Sequence, residues 1–128
     1  MVNRTLVNQH GGMNFIMLGA FALRDPIRPM VKSAVGYARD QGQMNIRLIS
    51  GDHIETATAA AMKAGILSSS ERGQEYAVMH ADDFENKVGK NGEDQVNDIQ
   101  TFSNIMKELK VIARAKPYRK HMIVHGLK

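Results

Sequence analysis

A short polar turn stands between a strand-like run and an alanine-rich helix near the middle of the sequence. The tripeptide Ser50-Gly51-Asp52 ends the run 44–50 and opens the stretch 52–65. Glycine lets the backbone approach a ligand closely, serine offers a hydroxyl, and the unpaired N–H groups at a helix start favour an anion. The pattern predicts a phosphate-binding turn, and an ordinary turn with Asp52 as helix cap is the alternative.

Two further turns carry charged residues that suit the same chemistry. Arg114 stands in the short run 111–115, and Lys120 stands in the first turns of the helix predicted after it. Guanidinium and ammonium groups both bind phosphate, so this turn predicts an anion site, with a solvated basic turn as the alternative. Asp25 and Arg28 flank a proline-stiffened turn, for which simple helix initiation is the alternative.

These turns need regular elements to bring them together. Strands that alternate with helices across short turns are typical of a parallel α/β sheet, in which ligands bind beyond the carboxyl ends of the strands. The sequence therefore predicts an α/β fold. The predicted strands are 13–23, 44–50, 75–84 and 111–115, and the predicted helices are 29–41, 52–65, 99–110 and 117–128.

For some of these segments the sequence also predicts burial, an apolar face or a turn. The run 13–23 is apolar throughout, which predicts a strand buried on both faces. In the first helix, Met30 and Tyr37 share one apolar face with two alanines. Asp82-Asp83 predicts a turn, and the polar stretch 85–98 predicts a surface excursion.

Composition limits the classes of protein to which the chain belongs. Its 128 residues suit one domain, and the absence of cysteine excludes disulfides and thiolate metal sites. No apolar run approaches the ~20 residues that cross a bilayer. The net charge is +4, but aromatic residues make up only 5% and tryptophan is absent, which argues against a nucleic-acid partner. His121 and His125 have the spacing of a metal pair, yet surface histidines are the preferred interpretation, so no metal site is predicted.

Two longer stretches together resemble a known family. LGAFALRDPIRPMVKSAVGYARDQGQMNIRLISGDHIETATAAAMKAGI and the later VIARAKPYRKHMIVHGLK are similar to the phosphorylation-domain segment of P-type cation-transporting ATPases. The details are most similar to plasma-membrane-type calcium pumps: Asp25-Pro-Ile-Arg-Pro, the Ala-Gly-Ile ending at Ile66, and Lys120-His121. The similarity covers residues 13–128 as a partial phosphorylation domain and leaves 1–12 as an extension or leader.

The resemblance implies a haloacid-dehalogenase-like, Rossmann-type parallel sheet. The family's Thr-Gly-Asp motif, which helps hold the phosphoryl group, falls on Ser50, Gly51 and Asp52. Its phosphate-binding lysine falls on Lys120. In that family the lysine neutralises charge on the transferring phosphoryl group while the Ser50-Gly51 region donates hydrogen bonds to its oxygens.

The resemblance also implies which residues of this sequence contact the nucleotide. The family's Asp-Pro-Pro-Arg motif lies near the nucleotide and falls on Asp25, Pro26 and Arg28, with isoleucine in place of the second proline. The arginine that contacts nucleotide before the family's last motif falls on Arg114. One departure is His53, which stands where the family usually has asparagine.

Two motifs of the family do not occur in the sequence. The chain contains neither the Asp-Lys-Thr-Gly-Thr stretch with the nucleophilic aspartate nor the Gly-Asp-Gly-x-Asn-Asp stretch that binds Mg²⁺. We therefore expect the segment to lie between these motifs, with an incomplete sheet, exposed apolar strand edges and no catalytic residue of its own. ATP and Mg²⁺ belong to the parent protein, and neither is expected to bind tightly to this chain alone.

These observations favour a segment of an ATP-driven calcium pump that is inactive alone. Its partners would be the nucleotide-binding, actuator and membrane domains of the pump, at the cytoplasmic face of a membrane, while the chain itself is soluble and does not insert. The alternative is a catalytically dead, pump-derived domain that serves as a structural subunit or binding module in a larger complex. A freestanding dehalogenase-like hydrolase is a weaker hypothesis because the nucleophile is absent.

Overall fold

A computed structural model describes residues 5–6, 15–16, 18–23, 25–91 and 95–128. Short strands and helices alternate along this range, with a turn of 3-10 helix at Glu71–Gly73. The strands are β1 (Thr5–Leu6), β2 (Phe15–Ile16), β3 (Leu48–Ile49), β4 (Val78–His80), β5 (Lys90–Asn91), β6 (Gln95–Val96) and β7 (Val111–Ala113). The helices are α1 (Val31–Asp40), α2 (Ile54–Ala64), α3 (Ala81–Val88), α4 (Ile99–Glu108) and α5 (Pro117–Gly126).

A three-stranded parallel sheet in the order β3-β7-β4 forms the centre of the fold. Leu48 of β3 and Val78 of β4 both lie opposite Val111 of β7, and the next residue of each strand lies opposite Ile112. Four of these six positions carry β-branched valine or isoleucine, which favours extended backbone, and the intervening helices form the crossovers that parallel pairing requires. The prediction of a parallel α/β sheet is confirmed, and the described sheet is small and open.

The side chains of β7 point alternately to two apolar cores, one on each face of the sheet. Val111 and Ala113 pack with Ala57 and Ala61 of α2, whose small side chains let the helix approach the strands closely. Ile112 lies in the opposite core with side chains from α3, α4 and α5. The buried members contributed by those three helices are Ala81, Phe84, Val88, Phe102, Ile105, Met106, Met122 and Ile123.

The helices predicted from sequence periodicity are present as α1, α2, α4 and α5. Gly65 ends α2 with a φ of +76°, in the left-handed region that favours glycine, and its amide donates to the carbonyls of Ala61 and Met62. The strands predicted at 44–50, 75–84 and 111–115 are present as β3, β4 and β7, each shorter than its predicted range.

The apolar run 13–23 does not form the buried strand that its composition predicts. Residues 18–23 adopt no strand, and Leu18, Phe21 and Leu23 each have more than nine-tenths of their surface exposed. Earlier in the run, β2 pairs with β1 in a two-residue antiparallel ladder. A strand buried on both faces needs hydrogen-bonded neighbours, and residues 18–23 pair with no strand of the parallel sheet, in which β3 is an edge strand.

Of the finer expectations, the turn at Asp82-Asp83 is wrong. Met30 and Tyr37, expected on one apolar face, are exposed; α1 packs against α2, and none of its residues is fully buried. Asp82-Asp83 is not a turn but lies in the first turn of α3, where carboxylates are stabilised by the positive end of the helix dipole. The stretch 85–98 includes most of α3 and the antiparallel β5–β6 pair.

The extension or leader expected at 1–12 lies outside the described residues except for β1. Three residues of the run 13–23 lie outside them as well. The division of the chain at residue 13 therefore stays a prediction.

Replacing Gly126 by alanine should destabilise the fold. A Cβ at this position would lie 2.7 Å from Cζ and 2.9 Å from Cε2 of Phe102, a buried ring that cannot move aside without disturbing its core. We expect Gly126→Ala to lower the free energy of unfolding by about 1–3 kcal/mol, measured by urea denaturation. The matched control is Gly36→Ala in α1, where nothing lies within 4 Å of the new Cβ. The free energy of unfolding of that variant should rise by up to about 1 kcal/mol. Equal effects at the two sites would contradict the packing described.

Asp98 should make stability depend on acidic pH. Its carboxylate caps α4 and accepts hydrogen bonds from Thr101 Oγ1 at 2.6 Å and Thr101 N at 2.9 Å, and these bonds lower the pKa of Asp98. The stabilisation is present above the unfolded pKa of about 3.9 and is lost as pH falls through the lower folded pKa. Unfolding measured between pH 7 and pH 2 should show this loss in the wild type. Asp98→Asn, which caps without titrating, should have a flatter profile; parallel profiles would contradict the assignment.

Candidate functional site

The turn after β3 is tied together by its own side chains. Ser50 N donates to Ile112 O of β7 at 2.9 Å, which fixes the start of the turn against the central strand. Ser50 Oγ donates to Asp52 Oδ2 at 2.8 Å and accepts from Asp52 N at 3.1 Å. A Cβ on Gly51 would have Ala115 O as its nearest neighbour, at 3.8 Å, so the backbone of the two turns is close here.

Helix α2 begins one residue later than the expected cap. His53 is the N-cap, in extended conformation, and its side chain makes no capping hydrogen bond. The carboxylate of Asp52 is engaged with Ser50 instead, so the expectation that Asp52 caps the helix is wrong. The positive end of α2 therefore lies directly beside the Ser50-Gly51-Asp52 turn, and its N-cap residue, His53, brings no carboxylate. This arrangement favours an anion.

The turn after β7 is joined to the first turn through backbone hydrogen bonds. Arg114 N donates to Asp52 O at 3.0 Å, and Ala115 N donates to Ser50 O at 2.9 Å. Arg114 has a φ of +56°, a left-handed conformation that costs roughly 1 kcal/mol for a residue with a Cβ. Its side chain is exposed. The pairing of the two turns holds this conformation and keeps the Arg114 side chain beside Gly51.

Both turns line a cleft of about 560 Å³ at the carboxyl edge of the sheet, here called the Gly51 cleft. Three of its side chains are cationic, and one, from the first turn of α3, is a carboxylate. The residues that line the Gly51 cleft are Gly51, His80, Asp82, Arg114, Ala115, Lys116 and Arg119.

Other residues predicted for the site lie elsewhere. Lys120 lines a separate groove of about 250 Å³ on α5, together with His121 and His125. Asp25 and Arg28 line a third cavity, of about 710 Å³, against the outer face of α2. The structure thus brings Ser50, Gly51, Asp52 and Arg114 together, and Asp25 with Arg28, but places Lys120 in neither group.

Arg119 is the most buried cation of the Gly51 cleft. Its side chain is 9% exposed; Nε donates to Glu85 Oε2 at 2.6 Å, and Nη2 is paired with Asp82. Tyr118 also donates to Glu85 Oε2, at 3.0 Å. Burial lowers the pKa of Arg119, the hydrogen bonds to Glu85 and Asp82 raise it, and the net direction is upward.

Four ionisable residues of the cleft were missed by sequence reasoning: His80, Asp82, Lys116 and Arg119. His80 ends β4, so the rule that ligands lie beyond parallel strand ends was a usable signal for it. The pairing of Asp82 with Arg119 joins residues 37 positions apart, and no local spacing indicates it.

The described residues contain no group of three or more histidine, cysteine, aspartate or glutamate side chains that could hold a metal ion. Every helix within the described ranges is too short or too polar to cross a membrane.

Comparison with known proteins identifies relatives that match most of the chain. The chain is 30% identical to plasma membrane calcium-transporting ATPase 1 of Gallus gallus over 110 residues, 86% of this chain and 9% of the relative. It is 31% identical to plasma membrane calcium-transporting ATPase 4 of Homo sapiens, over 86% of this chain and 8% of the relative. For calcium-transporting ATPase 1, plasma membrane-type, of Oryza sativa subsp. japonica, identity is 31% over 91% of this chain and 10% of the relative.

The chain is related to a segment of the P-type calcium pumps. The resemblance expected from the sequence is thereby confirmed, and the chain spans about a tenth of the length of these calcium-transporting ATPases. No family model and no solved structure matches the chain. The comparisons with the calcium pumps therefore show its relatives and leave the roles of individual residues as predictions.

Replacing Glu85 should weaken the fold beneath the cleft. Its carboxylate accepts from Arg119 Nε and Tyr118 OH, and its side chain is only 12% exposed. Glu85→Gln leaves a nearly buried guanidinium beside a neutral amide, so the free energy of unfolding should fall by about 3 kcal/mol in urea denaturation. The control is Glu108→Gln at the exposed end of α4, expected to change stability by less than ~0.5 kcal/mol. Equal small losses would show that the Glu85 pair contributes little.

Proposed function

We propose that this chain is a segment of an ATP-driven calcium pump and that it supplies phosphate and nucleotide contacts for aspartyl-phosphate chemistry in the full protein. In this proposal residues 13–128 form part of a haloacid-dehalogenase-like phosphorylation domain, inactive alone. The observation that carries the proposal is the meeting of the Ser50-Gly51-Asp52 turn with Arg114 at the carboxyl edge of a parallel sheet, in a relative of calcium-transporting ATPases.

The phosphate contacts are assigned to the turn and to the start of α2. The backbone N–H of Gly51, with the positive end of α2 beside it, donates to phosphoryl oxygens, whereas Ser50 N already donates to Ile112 O and Asp52 N to Ser50 Oγ. Ser50 Oγ already holds the carboxylate of Asp52, so the turn keeps its shape before the ligand arrives. Lys120 is assigned to charge neutralisation; because it lines a separate groove, its ammonium group must reach over the start of α5 to act there.

The nucleotide contacts are divided between two places. Arg114 contacts the nucleotide from the Gly51 cleft, where Lys116 adds a second positive charge. Asp25 and Arg28 contact it from the cavity against α2, whose lining also includes Lys32 and Lys63. Cationic side chains in both places fit an ATP polyphosphate, which supports ATP as the ligand of the parent protein.

Mg²⁺, unlike the ATP polyphosphate, has no matching group of side chains among the described residues. The described residues offer no cluster of carboxylates or histidines for a metal ion, so this part of the chain does not fit Mg²⁺. In the proposed pump, Mg²⁺ is bound by residues from outside this segment. ATP and Mg²⁺ are therefore ligands of the parent protein, and tight binding by the chain alone is not expected.

The proposed partners are the nucleotide-binding, actuator and membrane domains of the same pump, at the cytoplasmic face of a membrane, with this segment outside the bilayer and without nucleic acid. Support comes from relatives about ten times longer than this chain. The exposed apolar residues between 18 and 23 give a second reason, because such side chains are commonly covered by a partner.

The test is a titration of the full chain with MgATP, followed through the backbone amide shifts of Gly51 and Arg114. Both amides should shift, with weak affinity and no phosphate release. Arg114→Ala should raise the dissociation constant about tenfold, because it removes a charged contact. The control is Arg72→Ala, which removes the same charge from the exposed 3-10 helix before β4, at the opposite edge of the sheet, and should change affinity less than twofold.

Each outcome of this titration decides between hypotheses. Shifts at both amides that depend on Arg114 but not on Arg72 support the pump segment. A folded chain without shifts would favour a pump-derived structural subunit or binding module. Phosphate release by the wild type would reveal a nucleophile in this chain, and the proposed inactivity would be wrong.

A further inference from the structure

Arg119 is the one guanidinium of the Gly51 cleft that the roles above leave unassigned. Glu85 and Asp82 hold it from two sides, Nε on Glu85 and Nη2 on Asp82. The ring of Tyr118 lies 5.3 Å from the guanidinium carbon and adds a cation–π contact. The guanidinium is thus fixed in position before any ligand is present.

The two carboxylates that hold Arg119 differ in burial. Glu85 is 12% exposed and accepts a second hydrogen bond from Tyr118, so it is anchored. Asp82 is 68% exposed, lies in the first turn of α3 and itself lines the Gly51 cleft. An ion pair with a carboxylate so exposed contributes little net free energy, because water solvates the carboxylate nearly as well when the pair opens.

We propose that Arg119 is an anion-binding residue of the Gly51 cleft and that Asp82 occupies its Nη2 position until a phosphate-bearing ligand displaces it. The inference rests on the proposed function, since it names a further contact for the same phosphate group. Asp82 is then an internal competitor for the site, while Glu85 keeps the guanidinium in place during the exchange.

The charges of the cleft favour this exchange. Asp82 brings one negative charge, whereas a phosphate group brings up to two charges and several acceptor oxygens. The ligand also interacts with Arg114 and Lys116, which line the same cleft. Arg119 differs from these two in being nearly buried, so a hydrogen bond to its Nη2 is screened less by water.

Asp82 and Asp83 provide a matched pair of variants. Both lie in the first turn of α3, and Asp82→Asn and Asp83→Asn each remove one negative charge. Asp82 contacts Arg119 and lines the Gly51 cleft, whereas Asp83 lines a separate cleft with Glu75 and Lys87. Changing the carboxylate also leaves the Arg119–Glu85 pair intact, which an Arg119 variant would not.

The experiment is a calorimetric titration of the full 128-residue chain and both variants with inorganic phosphate at about 0.15 M ionic strength. Asp82→Asn should lower the dissociation constant by up to about fivefold relative to the wild type, since an exposed ion pair no longer competes for Nη2. Asp83→Asn should change it less than twofold. In the wild type, phosphate should also shift the Nε–H resonance of Arg119.

The results separate this inference from the proposed function. Equal dissociation constants for Asp82→Asn and Asp83→Asn would overturn the role of Arg119. If the Arg114-dependent MgATP titration succeeds at the same time, the proposed function stands. Phosphate binding by Asp82→Asn with none by the wild type would support the inference in its strongest form. Absence of phosphate binding in all three proteins would overturn it and leave the MgATP titration to decide the proposed function.

Discussion

The pairing of β7 with a parallel strand on each of its edges is the interaction on which the rest of the structure depends. Because β3 and β4 are both in register with β7, three strands end at the same edge. The hydrogen bonds Arg114 N to Asp52 O and Ala115 N to Ser50 O extend this pairing into the loops. The Gly51 cleft is therefore positioned by the backbone, so its side chains can be exchanged without moving the turns that carry them.

The buried pair of Arg119 and Glu85 joins this backbone arrangement to the helices. Helix α3 follows β4 directly, and α5 begins four residues after β7, so both helices start at the edge that carries the cleft. Burying a guanidinium is costly, and the cost is offset because Glu85 and Asp82 both accept from it. The same contact therefore contributes to the packing of α3 against α5 and sets the charge at the bottom of the cleft.

The sequence predicted what local patterns determine: the parallel α/β class, four helices and the meeting of Gly51 with Arg114. It failed where the outcome depends on distant neighbours. The run 13–23 is apolar enough for a buried strand, but burial needs a paired neighbour on the sheet, which composition does not reveal. The phosphate-binding role of Lys120 stays a prediction. Adjacent residues on a helix point about 100° apart, so Arg119 lines the Gly51 cleft and Lys120 lines another groove.

The two carboxylates beside the Gly51 cleft each have one oxygen engaged by a neighbouring side chain. Asp52 Oδ2 accepts from Ser50 Oγ, and Asp82 Oδ1 is paired with Arg119. A nucleophilic carboxylate must direct an oxygen at phosphorus, in line with the leaving oxygen, so each of these contacts limits how its carboxylate can turn toward a ligand. In the proposed role, the phosphate takes the position that Asp82 leaves, and the attacking carboxylate comes from outside this segment.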